Sequence, residues 1–145
     1  MRAVFRGTIA VVVGFVAASA VMMLIEGVNG HFLYPELGKQ AAGLTDHEAI
    51  RAVFAAAPIG SLLVVIFGWA LGSFVGGLAA AWIGRRAPVG HAAVLGGLLT
   101  IAGVANNLAL PPPPWFWIAS LIVLIPAACV GARLAPRTKQ DIPGR

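Results

Sequence analysis

Few side chains in this sequence could bind a ligand or take part in a reaction, and most of these are polar residues that follow apolar segments. They are Glu26, Asn29, His31, Tyr34, Asn106 and Asn107. Carboxylate, amide, imidazole and hydroxyl groups gathered at one mouth of a helix bundle can form a small binding site. The same groups also occur wherever a bundle meets water. A ligand-binding cluster is therefore one hypothesis, and a plain solvated surface is the other.

Support for catalysis is weak in this sequence. It contains no Ser–His–Asp set, no glycine-rich phosphate loop and no CxxC pair. Histidine and glutamate residues between the first two apolar segments are metal-ligand types, but their spacing matches no zinc signature such as H-E-x-x-H. Cys129 is the single cysteine and has no partner for an internal disulfide. The sequence therefore predicts a protein that is not an enzyme and that carries no metal and no cofactor.

Composition indicates which elements must carry the polar side chains. Apolar residues make up 59% of the 145 residues and charged residues 10%, whereas soluble domains carry roughly 25% charged residues. In water so small a chain would expose much apolar surface, whereas lipid solvates it. The net charge of +5 could indicate nucleic-acid binding. However, the basic residues stand singly or in pairs at the ends of apolar runs, so the expected partner is the lipid bilayer and no nucleic acid.

Four segments are long enough to cross a membrane, because a helix needs about 20 apolar residues to do so. The predicted spans are residues 4–25, 58–84, 89–110 and 115–134. The last two are separated by Pro111–Pro114, since consecutive prolines cannot continue a helix. The first is long enough to be retained as a span and not cleaved as a signal peptide. The sequence therefore predicts an all-α integral membrane protein whose single domain, residues 1–135, is a four-helix transmembrane bundle.

A loop of about 30 residues, 26–57, connects the first two spans and contains a predicted short helix over 46–57. Thr45 followed by Glu48 has the spacing of a capping box, with Thr45 as the N-cap. The apolar part of this short helix is expected to lie along the membrane surface.

The distribution of basic residues predicts the orientation of the spans. Eight basic residues flank one side of the four spans, and only Lys39 and Arg51 lie on the other. Cytoplasmic loops carry the excess of Lys and Arg. Both termini, the Arg85-Arg86 turn and a disordered basic tail at 136–145 are therefore expected in the cytoplasm, and the loop 26–57 outside. The Ala-, Gly- and Arg-rich, Lys-poor composition is typical of a high-GC bacterium, which gives the bacterial inner membrane as the location.

Small residues follow one face of the second span at a spacing of four, with Val64 as the interruption. They are Gly60, Gly68, Gly72, Gly76, Ala80 and Gly84. Residues four apart share a helix face, and a face of small residues lets a partner helix approach closely in lipid. We favour packing within one bundle. The other hypothesis is a homo-oligomer or a larger membrane complex that assembles through this glycine face.

The position of Glu26 bears on the choice between functions. It follows Arg6 by twenty residues, about 30 Å of helix, which predicts the outer edge of the hydrocarbon. Ion-coupled carriers keep an acid deeper in the membrane. The first hypothesis is therefore a non-catalytic accessory or structural subunit of a membrane assembly. The alternative is a small oligomeric transporter or channel with an outward-facing polar mouth, and a third hypothesis is an outward-facing sensor or enzyme built on the first loop.

Overall fold

The computed structural model describes residues 2–84 and 88–136, which are mainly helical and contain no strand. The helices are α1 (Arg2–Val28), α2 (Pro35–Ala41), α3 (His47–Ala55), α4 (Ile59–Gly84), α5 (Pro88–Ala109), α6 (Pro114–Ile122) and α7 (Leu124–Arg133). Four helical segments are long and apolar enough to cross a membrane: α1 with its continuation, α4, α5, and α6 together with α7. This confirms the prediction of an all-α fold with four helices that are long and apolar enough to span a membrane.

The first span extends well beyond Ile25, where the sequence placed its end. After Val28 the helix continues as a π-helical turn, Asn29–Leu33, in which the amide of Tyr34 donates to the carbonyl of Asn29 at 2.8 Å. The apolar helical segment therefore covers Val4–Leu33. The predicted loop begins only at Tyr34, and it contains α2 as well as the expected α3.

The other spans begin and end close to their predicted limits. Pro58 precedes α4, and the tetraproline segment separates α5 from α6. The fourth span is interrupted at Val123. Pro126 explains the interruption, because its ring nitrogen carries no hydrogen and cannot donate to the carbonyl of Ile122.

The N-cap of α3 is Asp46 and not the predicted Thr45. The Asp46 Oδ2 atom accepts a hydrogen bond from the amide of Ala49 at 2.8 Å. Asp and Thr are both good N-caps, and Asp46 has the position that reaches the third amide of this helix. The short helix therefore starts at His47 and ends at Ala55, within the predicted range 46–57. Its Ile50 side chain is buried.

The glycine face of α4 packs against α1 of the same chain. A methyl group placed on Gly76 would lie 2.6 Å from the carbonyl oxygen of Gly14, and one on Gly72 would lie 2.8 Å from that of Ala18. Ordinary contacts are about 3.5–4.0 Å, so only hydrogen side chains fit here. Close backbone approach of this kind is what holds helices together in lipid.

The ends of the glycine face meet other parts of the chain. Gly60 lies against the hydroxyl group of Tyr34, and Gly84 lies against the imidazole of His91 in α5. Ala80 is fully buried. The glycines of this face are thus in contact with other parts of the same chain. Assembly through this face stays an untested hypothesis, and it would require α1 to leave its place.

A second close contact joins α4 to α7, which makes α4 the central helix of the bundle. A methyl group on Gly77 would meet the carbonyl of Ala128, and one on Gly131 would meet the carbonyl of Phe74. The buried apolar cluster at the centre comprises Ala18, Trp69, Ala80, Leu95, Leu99 and Leu124.

The two ends of the bundle are distinguished by their polar groups. At one end, Arg6 Nε donates to the carbonyl of Ile83 at 2.8 Å, which joins the start of α1 to the last turn of α4. We call this the Arg6 end and the opposite one the Asn107 end. The Arg85-Arg86 turn and the predicted tail beyond Pro136 lie outside the described residues.

Candidate functional site

Glu26 of α1 accepts a hydrogen bond from the indole of Trp69 in α4. Oε1 of the carboxyl group lies 2.7 Å from Nε1. Trp69 is only 4% exposed, and its ring packs edge-to-face on Phe116 with centroids 6.1 Å apart. An indole N–H is a donor only, so this bond holds Oε1. It leaves Oε2 with no hydrogen-bond partner among the described residues.

The register of α1 against α4 sets the depth of Glu26. Its neighbour Ile25 packs on Gly68, which lies nine residues after Ile59 at the start of α4. At 1.5 Å per residue this is about 14 Å from the end of a helix about 39 Å long. Glu26 therefore lies beside the first third of α4, counted from Ile59. Its position at the outer edge of the hydrocarbon stays a prediction.

Asn29 begins the π-helical turn and is buried, with 5% exposure. Its Nδ2 donates to both the carbonyl oxygen and the hydroxyl oxygen of Ser61 in α4, each at 3.1 Å. A carbonyl oxygen can only accept, and this fixes which amide atom is the nitrogen. The Oδ1 atom of Asn29 is buried and has no partner among the described protein atoms.

Asn107 of α5 has the same arrangement. It is 1% exposed, and its Nδ2 donates to Ser120 Oγ in α6 at 3.3 Å. The Ser120 hydroxyl donates in turn to the carbonyl of Trp117 at 3.4 Å, so its oxygen is the acceptor for Asn107. The Oδ1 atom of Asn107 is also buried, and the described part of the chain offers it no donor.

Asn29 and Asn107 line one cavity of about 180 Å³ at the Asn107 end of the bundle, which we call the amide cavity. Side chains from α2 and α3, among them Leu37 and Phe54, form part of its wall. Its lining comprises Glu26, Asn29, Gly30, Leu37, Gly38, Ala41, Phe54, Ser61, Leu62, Val65, Asn106, Asn107, Leu110, Pro112 and Phe116. The helices therefore bring together four of the six predicted site residues.

A second cavity of about 260 Å³ lies deeper, between α1 and α5, and we call it the apolar crevice. Its lining comprises Phe15, Ser19, Met22, Met23, Glu26, Trp69, Leu99, Ala102, Gly103, Asn106 and Leu124. Glu26 and Asn106 line both cavities and therefore lie at their border. Among the described residues, neither lining includes a Lys, Arg or His, so no side chain there offers a positive charge.

His31 and Tyr34 lie outside both cavities. His31 is exposed, and its Nδ1 lies 3.0 Å from the carbonyl of Gly27 one turn earlier. Tyr34 covers Gly60 and lines a separate cavity of about 370 Å³ beside α2 and α3. His31 lines a further cavity of about 360 Å³ together with Glu26, Gly30 and Lys39. The membership of His31 and Tyr34 in a ligand-binding cluster stays a prediction.

Three residues of the site were not found from the sequence: Trp69, Ser61 and Ser120. Trp69 stands in a continuous apolar run, where its ring nitrogen gives no pattern. The two serines are single polar residues among apolar ones, and small hydroxyl side chains are common in membrane helices. Only the register between helices pairs these residues with Glu26, Asn29 and Asn107.

At the Arg6 end, the ring of His91 fits between Gly7 of α1 and Gly84 of α4, where an added methyl group would lie 2.7 Å and 2.5 Å from its nitrogens. Its Nδ1 is buried and lacks a partner within the described part of the protein. The ring fills the space that two glycines leave.

The described residues contain no group of three or more His, Cys, Asp or Glu side chains placed to hold a metal ion. The chain is matched by no protein-family model, by no curated protein and by no solved structure.

Proposed function

We propose that this chain is a non-catalytic multi-pass membrane protein that binds a small solute in the amide cavity, as the mouth of a small transporter. The observation that carries the proposal is the pair of buried amide oxygens of Asn29 and Asn107, both without a partner among the described residues and both belonging to lining residues of one cavity. A buried acceptor left unpaired costs about 1–3 kcal/mol, and native proteins contain few of them. A solute with hydrogen-bond donors would account for both.

Two findings favour this function over an accessory subunit. The hypothesis of an accessory subunit depended on a clear helix-packing face in a sequence with few residues that could do chemistry. The glycine face is in contact with α1, Tyr34 and His91 of the same chain, so it does not by itself call for a partner protein. Glu26 adds a carboxyl group that lines both cavities, and acidic side chains inside a membrane are usually functional.

The proposal includes an orientation and a location. Arg6 lies near the start of α1, and Arg133 lies in the last turn of α7. Because the four spans alternate in direction, these two helix ends lie on the same side. Basic residues favour the cytoplasmic side, so we expect both termini in the cytoplasm of a bacterial inner membrane. The amide cavity then opens outward. A transporter of this size would act as an oligomer, through surfaces other than the glycine face.

Cysteine accessibility tests this proposal. Cys129→Ser removes the one native thiol, and Asn106→Cys then places a thiol at the border of the two cavities. Ile101→Cys is the matched control, because this side chain is 68% exposed on the same helix and would face lipid. The thiolate that reacts forms only where water reaches it.

We expect a membrane-impermeant methanethiosulfonate reagent, added outside spheroplasts, to label Asn106→Cys and to leave Ile101→Cys unlabelled. Absence of labelling at position 106 from either side would contradict a solute cavity. Labelling only from the inside would contradict the orientation.

A further inference from the structure

The buried polar atoms that lack a partner in the lining residues of the amide cavity are hydrogen-bond acceptors. Both N–H groups of Asn29 Nδ2 and one of Asn107 Nδ2 are used on serine oxygens, so among the described residues the two Oδ1 atoms are the amide atoms that are buried without a partner. Glu26 contributes a carboxyl group with one oxygen held by Trp69. These acceptor groups together suit a ligand group that donates several hydrogen bonds, and the carboxylate favours a ligand group with a positive charge. Anionic ligands would find no cationic side chain on the described lining.

The apolar crevice can hold the remainder of such a ligand. Its wall is formed mainly by Phe15, Met22, Met23, Leu99 and Leu124, and its volume is about 260 Å³. An apolar cavity of about 150 Å³ is enough to bind benzene. The crevice therefore accommodates an apolar group of phenyl size or somewhat larger. Glu26 lies where this group would join the polar one.

We propose that the solute is a small organic ammonium ion with one apolar group, an inference that rests on the proposed function of the amide cavity. A primary ammonium has three N–H donors. Three acceptor groups belong to residues that line the cavity: Oδ1 of Asn29, Oδ1 of Asn107 and the carboxyl group of Glu26. The apolar group occupies the crevice. An inorganic cation would leave the crevice unused.

Calorimetric titration of the purified full-length protein in detergent tests this ligand class, with 2-phenylethylammonium as the probe. Three related compounds each lack one feature: 2-phenylethanol lacks the charge, 3-phenylpropionate reverses it, and ethylammonium lacks the ring. We expect saturable binding of 2-phenylethylammonium, with each related compound weaker by about tenfold or more. Equal binding of the propionate or of the alcohol would overturn the proposal, and equal binding of ethylammonium would remove the crevice from it.

Glu26→Gln is the decisive variant, because glutamine keeps an oxygen that accepts from Trp69 while the charge is lost. We expect it to weaken 2-phenylethylammonium by about tenfold and to leave 2-phenylethanol unchanged. Glu36→Gln is the matched control, since Glu36 is an exposed acid paired with Lys39 and lines neither cavity. Thermal unfolding of both variants establishes that they are folded. Unchanged affinity in a folded Glu26→Gln protein would refute the proposal.

Two further comparisons complete the design. Phosphatidylethanolamine carries the same ammonium group, so the titration is repeated in nanodiscs of phosphatidylcholine with and without it. If this lipid competes with 2-phenylethylammonium, the ammonium group that the protein binds belongs to a lipid headgroup. If it does not compete, the natural ligand is a free amine. If 2-phenylethylammonium fails to bind while Asn106→Cys is still labelled from outside, the ligand class is wrong and the outward cavity stands. If labelling fails as well, both proposals fall.

Discussion

Gly76→Ala perturbs the contact between α1 and α4 at a position where both backbones are involved. The added methyl group would lie 2.6 Å from the carbonyl oxygen of Gly14 and 2.8 Å from the Cβ atom of Ala18. To restore an ordinary contact the helices must separate by about 0.8 Å. A gap of that size forfeits about a quarter to a half of the dispersion energy of each neighbouring contact.

Overpacking of this kind costs about 1–3 kcal/mol, while alanine in place of glycine favours the helix by about 0.8–1.0 kcal/mol. Gly97→Ala isolates the second effect, because nothing lies within 4 Å of the methyl group that it adds in α5. We therefore expect the free energy of unfolding of Gly76→Ala to be lower than that of Gly97→Ala by about 1–3 kcal/mol.

Titration with sodium dodecyl sulfate from mild detergent micelles, followed by tryptophan fluorescence, measures this difference. The two alanine variants and the original protein are unfolded under one set of conditions. Coincident midpoints for the two variants would refute the close approach of α1 and α4.

Three other substitutions test particular hydrogen bonds. Trp69→Phe keeps an aromatic ring but removes the donor to Glu26, and we expect the free energy of unfolding to fall by about 1–3 kcal/mol; an unchanged value would contradict the bond. Asp46→Ala removes the cap of α3, which costs about 1 kcal/mol, so hydrogen exchange at the Ala49 amide should accelerate while exchange in α4 does not. Pro126→Ala supplies an N–H that can donate to the carbonyl of Ile122, so we expect this amide to be protected from hydrogen exchange. Rapid exchange of this amide would mean that another feature interrupts the helix.

The limits of the long helices could be predicted because local chemistry sets them. Pro58 and the tetraproline segment stop or start helices whatever surrounds them, and α4 and α5 begin and end within a residue of the predicted positions. The end of the first span could not be predicted in this way. Asn29 and His31 resemble loop residues, yet the apolar Phe32 and Leu33 continue the helical segment as a π-helical turn.

The site itself depends on distances that no local pattern encodes. Asn106 and Asn107 are adjacent and chemically identical, but successive residues point about 100° apart on a helix. One is exposed, and the other is 1% exposed with its amide on Ser120. Likewise, Glu26 meets Trp69 only because glycines let α1 and α4 pack in one register. The residue types of the cluster were predictable, and their partners were not.

A structure of the protein in a lipid nanodisc, at a resolution that shows ordered water and small ligands, would test the central claim most directly. We predict density that belongs to no protein atom within hydrogen-bonding distance, about 3.5 Å or less, of Oδ1 in both Asn29 and Asn107. Side chains of Asn29 and Asn107 that pair fully with protein groups, around a cavity closed by Phe54 and Leu37, would contradict the assignment of the amide cavity as a binding site.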